Sequence, residues 1–257
     1  MAHKTLINGT AYEIGGGKTL VGGTAYSIDK GKTLVGGTAY EIGFIKTLGE
    51  LSVGETVSFT VNGVSKDFIV VHQGLPSSSY DSSCDGTWLL MKNIYTTLPW
   101  NCSKNSYVDS QLHSYLNDTF FSLLDSNVKD SIKQVKIPYT NGNGKTGSLS
   151  VGSSGLSTKC FLLSYSEVTT SSRSDVNAEG SILNYFSNNK YATRIAYLDG
   201  VATYWWLRSP NTGYDDYAWT VKDNGQPAYQ SIQMYEPSFD NRGIRPTFIM
   251  PSDFIIS

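Results

Sequence analysis

Apolar and polar positions recur in strict phase over the first part of the chain. "KTLINGTAYEI" starts at Lys4, "KTLVGGTAYSI" at Lys18 and "KTLVGGTAYEI" at Lys32, and a fourth "KTL" starts at Lys46, a period of fourteen residues. Leu6, Leu20 and Leu34 hold one register position, and Tyr12, Tyr26 and Tyr40 another. Each unit reads as strand, two-residue turn, strand, because Asn8-Gly9, Gly22-Gly23 and Gly36-Gly37 supply the positive φ angles of a type I′ turn. One hairpin cannot bury an apolar face alone, whereas stacked or intermolecular hairpins can. Residues 1–45 are therefore expected to form an elongated stalk or docking tag, since a flexible glycine-rich linker would not keep such phase.

Past the repeats the period changes. "GETVSFTVNGVSKDFIVVHQG" alternates around Asn62-Gly63 and predicts a β-hairpin. A serine-rich loop and the apolar run "TWLLMKNIY" follow. From Asp109 the spacing is helical, through Leu112, Tyr115, Leu116, Phe120, Leu123 and Leu124, with Asp109 or Ser110 as N-cap. A second short helix is expected after Asp125 or Ser126, with Val128 and Ile132 inward. "IPYTNGNGKTGSLSVGSSG" reads as a long loop, "CFLLSYSEV" as a buried strand and "AEGSILNYF" as a further short helix. Short strands close the chain. The layout predicts an α+β domain over residues 46–257.

Composition narrows the function. Charged residues are 16% of the chain, below the usual quarter, and Ser, Thr, Asn, Gly and 17 tyrosines carry the polar share. A net charge of −2 gives no electrostatic footprint for nucleic acid. No apolar run approaches the roughly 18 residues of a membrane span, and the N-terminus shows no apolar core of a Sec-type signal. "GKT" at Gly17, Gly31 and Gly144 lacks the glycine that a phosphate loop needs five positions earlier, where Tyr12, Tyr26 and Tyr139 stand. His3, His72 and His113 have no paired spacing, so neither a metal nor a cofactor is expected. Cys84, Cys102 and Cys160 are odd in number and form no CxxC, which leaves three reduced thiols, or one bridge and a spare. Cys84 with His113 would be a nucleophile and base on paper, but nothing in the spacing selects that pair. Asp215 and Asp216 point to opposite faces of an extended backbone, so they make no glycosidase pair.

The C-terminal third carries a resemblance. "YWWLRSP" from Tyr204 and "GIRPTFIMP" from Gly243, with "FIVVHQGLPSSSYDSSCDGTWLLMKNIY", "LHSYLNDTFFSLLDSNVKDSIKQVKIPY" and "RIAYLDGVATYWWLRSP", resemble a domain of gut bacteria and their phages. That domain is similar to the formylglycine-generating-enzyme branch of the C-type lectin fold. The resemblance covers roughly residues 46–257 and implies an α+β, C-type-lectin-like domain ending in a small twisted sheet. The hairpin repeats resemble those at the front of phage tail and tail-fibre proteins, which implies a homo-oligomer, a trimer by analogy, on a virion or a bacterial cell surface. The late catalytic cysteines of the oxidases are missing, since no cysteine follows Cys160. The Glu-Pro-Asn or Gln-Pro-Asp and Trp-Asn-Asp motifs of calcium-dependent lectins are missing too: "EPS" stands at Glu236 and "QPA" at Gln226. Neither activity carries over.

What the resemblance implies instead is display, as in the variable proteins of diversity-generating retroelements. Asn, Tyr, Asp and Ser are all reachable from an Asn codon by changing adenines, and Asn211, Tyr214, Asp215, Asp216, Tyr217, Tyr229, Ser231, Tyr235, Ser238, Asp240 and Asn241 fit that palette. These are the expected ligand-binding residues, for a host-surface protein or glycan. Trp205, Trp206, Leu207 and Pro210 would anchor the scaffold by burial. Arg208 and Arg245 would be held by carbonyl or carboxylate partners, because an unpaired buried guanidinium is costly. In "AYQSIQMY", Ala228, Ile232 and Met234 share the inward face and Tyr229, Ser231, Gln233 and Tyr235 the outward one. Two rivals stand beside this reading: an oxidase or hydrolase using Cys84 or Cys160 in a cleft, and a structural virion protein without a ligand.

Overall fold

The computed structural model describes residues 4–7, 10–13, 18–21, 24–27, 30–35, 38–43, 46–100, 104–232 and 242–256, with side-chain surroundings from Lys46 onward. The chain divides into two units, Met1–Lys46 with Ile255–Ser257, and Thr47–Phe254. In the first, Lys4–Ile7 pairs with Thr10–Glu13, Lys18–Val21 with Thr24–Ser27, and Lys30–Val35 with Thr38–Gly43, each pair a separate two-stranded antiparallel sheet. Ile7 opposes Thr10, Val21 opposes Thr24 and Val35 opposes Thr38, which leaves two residues for each turn. The turn residues themselves lie outside the described set.

The second unit is built on two five-stranded sheets. The first runs Cys160–Phe161, Thr247–Met250, Thr87–Met91, Val64–Gln73, Thr56–Val61, antiparallel throughout. Its inner strand is the apolar run seen in the sequence, with all five residues buried. The hairpin turn falls at Asn62 and Gly63, both at positive φ (50° and 73°), as the Asn-Gly pair predicts. The second sheet runs Thr96–Leu98, Arg242–Ile244, Trp205–Pro210, Tyr217–Val221, Pro227–Ser231. Its central strand is "WWLRSP", buried at all six positions. A Cβ on Gly243, opposite Trp205, would come within 2.6 Å of Ile94, so the glycine of "GIRP" makes room for the Ile94 side chain.

The α+β, C-type-lectin-like expectation is corrected here. The chain is β-rich, with 36% of residues in strands against 18% in helices, and its last three strands, Arg242–Ile244, Thr247–Met250 and Ile255–Ile256, go to three different sheets. The helical pattern after Asp109 is met: Gln111–Tyr115, capped by Ser110, continues through a π-helical turn over Leu116–Phe120 into Phe121 and Ser122. Leu112, Leu116, Phe120 and Leu124 are buried while Tyr115 and Leu123 are only partly so. The helix expected after Asp125 is Ser126–Ser131, with Val128 and Ile132 buried. "CFLLSYSEV" is a strand only at Cys160–Phe161. Ser164 and Glu167 form a capping box that turns the chain into the helix Tyr165–Val168. "AEGSILNYF" yields one 3-10 turn, Asn184–Phe186. The expected long loop contains the hairpin Tyr139–Asn141 with Ser148–Ser150, and Val135–Ile137 pairs with Leu156–Thr158. No described helix is long and apolar enough to cross a membrane.

Candidate functional site

The site is built outward from the buried central strand. Trp206 donates its indole N–H to the Leu98 carbonyl (3.0 Å) and packs edge-on against Trp100. Trp205 donates to the Arg194 carbonyl (2.9 Å), and the Arg245 guanidinium lies over its ring at 4.7 Å. Both tryptophans thus bury their rings with the polar handle satisfied. Arg245 also donates to the carbonyls of Met91 and Lys92, with no carboxylate partner among the described residues, and burial pulls its pKa down to about 10. Arg208 does hold a carboxylate: Nη1 and Nη2 grip Glu167 (2.6 and 2.7 Å) while Nε and Nη2 reach the Pro138 carbonyl. Tyr80 donates to Glu167 at 2.8 Å. Close by, the fully buried Glu179 accepts from the Thr140 N–H and the Ser209 hydroxyl. Burial pushes the Glu179 carboxyl up, against the pull of Arg208. This network ties strand, capped helix and loop into one rigid frame.

The loop that leaves this strand is held by two buried asparagines. The Asn211 side-chain oxygen accepts the N–H groups of Gly213 and Tyr214 (2.8 and 3.1 Å), an Asx turn. Asn105 spans it from below: its amide lies 2.9, 2.8 and 2.6 Å from the carbonyls of Asn211, Tyr214 and Tyr217, and its oxygen accepts from the Gly144 N–H. A Cβ on Gly144 would sit 2.1 Å from the Asn211 carbonyl oxygen, so this glycine serves close backbone approach.

Above this clamp stands a row of aromatic rings. Tyr214 meets Tyr217 at 5.5 Å, Tyr217 meets Tyr229 at 5.6 Å, Tyr229 meets Trp219 at 5.5 Å, and Trp219 meets Tyr165 at 4.4 Å. Trp219 and Tyr229 are cross-strand partners, as are Tyr217 and Ser231, which puts all four on one side of the sheet. The inner end is buried. The outer end opens to solvent, with Tyr214 57% and Tyr229 39% exposed. Arg173 lies over the Trp219 ring (5.1 Å) and grips Asp175 through two bonds of 2.7 and 2.8 Å. That bond to Arg173 holds the Asp175 carboxyl below its ordinary value.

The structure therefore brings Tyr214, Tyr217, Tyr229 and Ser231 together. Asp215 and Asp216 are half-buried beside them in a turn, where an extended backbone was expected. Asn211 is fully buried and organises the loop from beneath. Ile232 points inward as expected, whereas Ala228 is half-exposed. Tyr235, Ser238, Asp240 and Asn241, with Gln233 and Met234, lie outside the described residues. Sequence reasoning missed Asn105, Arg173, Asp175 and Trp219. Only Trp219 carries a local signal, its alternation with Tyr217 and Val221.

The thiols and imidazoles are occupied elsewhere. Cys84 and Cys160 are free and fully buried. Cys84 donates to the Lys136 carbonyl, and burial pushes its pKa up to about 12; burial raises Cys160 as well. Cys102 lies outside the described residues. His72 sits edge-on to Trp88 and accepts the Asn184 N–H, and His113 packs against Tyr107; burial lowers both pKa values. Among the described residues no hydrogen bond joins a thiol to a histidine, and no group of three His, Cys, Asp or Glu is placed to hold a metal.

Residues 85–252 match the family model described as Domain of unknown function (DUF6273). The chain belongs to the DUF6273 family. The DUF6273 match takes in every described residue of the aromatic row and all of the frame except Tyr80. No curated protein and no solved structure matches the chain.

Proposed function

We propose that this DUF6273 protein is a ligand-binding display protein that meets a host-surface protein or glycan through the face of Tyr214, Tyr217 and Tyr229. The observation that carries the reading is the pairing of solvent-open tyrosines with a loop backbone fixed by buried Asn105 and Asn211. Tyrosine offers a large contact area with few rotors, and a loop already ordered in the free protein gives up little entropy on binding. Asp215, Asp216 and Ser231 at the margin supply adaptable hydrogen bonding. The protein acts on a virion or bacterial cell surface, and the repeats of residues 1–45 join copies of the chain, as a trimer, which multiplies weak contacts. The buried, protonated thiols of Cys84 and Cys160 are poor nucleophiles, which favours binding over thiol chemistry. Binding of the labelled full-length protein to intact bacterial cells and to a glycan array tests the reading. Loss of binding in Tyr214→Ala or Tyr229→Ala with unchanged melting supports it, and unchanged binding in both overturns it.

A further inference from the structure

A second recess lies among elements that the aromatic row does not use. It is a cleft of about 320 Å³ lined by Val61, Asn62, Val64, Lys66, Tyr95, Thr96 and Tyr115. Its walls are fixed. The hairpin tip is pinned by the Asn62 N–H on the Leu123 carbonyl (2.8 Å) and by the bridge between Val61 and Leu124. Tyr95 is held by its own N–H on the Ile244 carbonyl (2.9 Å) and by its ring against Phe120. Tyr115 lies in the helix just before the backbone widens into the π-helical turn, a distortion frequent at functional sites.

The polar groups here are uncommitted. Among the described residues, no hydrogen bond or ion pair engages the Lys66 ammonium, the Asn62 amide, the Thr96 hydroxyl or the phenols of Tyr95 and Tyr115. The neighbouring Asp67 is taken by Lys92 and Ser58. Burial raises the pKa of both phenols, Tyr115 further through Tyr95 beside it, so both carry their protons. Among these groups the valines supply the apolar contact, Val61 buried and Val64 exposed. Several convergent polar groups beside two valines, in an open recess of about 320 Å³, suit a small polar ligand. One cation without a counter-charge asks for an anion. Four neutral groups that can donate ask for several hydroxyls, and the valines ask for a C–H face.

We propose that this cleft binds a carboxylate-bearing pyranose, with the carboxylate on Lys66, ring hydroxyls on Tyr95, Tyr115, Thr96 and Asn62, and the C–H face on Val64. Saturation-transfer NMR on the full-length chain tests it with D-glucuronate, D-glucose and acetate as probes. The wild type is expected to transfer most strongly to glucuronate, weakly to glucose and not to acetate. Lys66→Met removes the preference for glucuronate over glucose and Lys66→Arg keeps it. Tyr115→Phe weakens glucuronate about fivefold, the worth of one hydrogen bond. Equal transfer to glucuronate and glucose in the wild type overturns the proposal, as does an unchanged preference in a Lys66→Met protein that melts like the wild type. Loss of the signal in Tyr229→Ala instead of Lys66→Met overturns it too, since the sugar would then sit on the aromatic row.

Discussion

Replacing Asn105 by alanine probes the clamp that joins frame to face. The side chain is fully buried, and its two N–H hydrogens are shared among three carbonyls while its oxygen takes the Gly144 N–H. The Tyr217 carbonyl keeps the Asn211 N–H as a second donor at 3.0 Å. The groups stranded by Asn105→Ala are therefore the Gly144 N–H and the carbonyls of Asn211 and Tyr214. A buried group left unpaired costs about 1–3 kcal/mol, and a water entering the vacated space recovers part of that. The expected loss is about 2–4 kcal/mol, read as a lower urea midpoint at unchanged slope. Hydrogen exchange supplies the local readout: the amides of Gly213 and Tyr214, which donate to Asn211, should exchange faster in the variant. A variant within about 0.5 kcal/mol of wild type, with loop amides equally protected, would refute the reasoning, because that is the range of a surface change.

Arg208→Met should cost about 3–5 kcal/mol, because it leaves Glu167 buried without its ion pair; Arg208→Met with Glu167→Gln should regain part of it in the same urea melts. Glu179 sets a pH dependence. Its folded pKa is raised by burial, so between the ordinary value of 4.5 and the folded value the folded state keeps a proton that the unfolded state has released, and stability falls as pH rises through that window. The stability of Glu179→Gln relative to wild type should therefore climb over that window and level off above it, and a flat difference would count against a raised pKa. In a Cys102→Ser background, Cys84 and Cys160 should resist iodoacetamide at mildly alkaline pH until denaturant is added, since burial keeps both as thiols; rapid labelling of the folded protein would contradict this.

Local patterns were legible where the physics is local. The Asn-Gly turn at 62–63, the repeat hairpins, the burial of Trp205, Trp206 and Leu207 and the short helix at Ser126 follow from periodicity and turn chemistry. The balance of strand and helix was not legible, because the run that reads as a long loop holds the hairpin Tyr139–Asn141 with Ser148–Ser150, and "AEGSILNYF" shortens to one 3-10 turn. The run at Cys160 looked like a strand because its apolar positions outweigh the capping box of Ser164 and Glu167 that ends it. Of the face, Tyr214, Tyr217 and Tyr229 could be picked out by residue type alone. Asn211 was of the same type, yet its amide is spent on the backbone of its own loop. Asn105 was invisible because its partners lie far along the chain, at 144 and 211–217, and Arg173 because its grip on Asp175 is local while the ring it covers belongs to the distant Trp219.

The central claim is that the tyrosine face does the binding and the frame only carries it. The most direct measurement is the affinity of full-length protein for intact bacterial cells, compared across wild type, the double variant Tyr214→Ala/Tyr229→Ala, and Tyr197→Ala, a control tyrosine 45% exposed on a separate hairpin. Each anchor on the face should contribute about 1–2 kcal/mol. The account predicts that the double variant melts within a few degrees of wild type yet binds at least about tenfold more weakly, while Tyr197→Ala binds as wild type does. Equal binding by wild type and the double variant would contradict it.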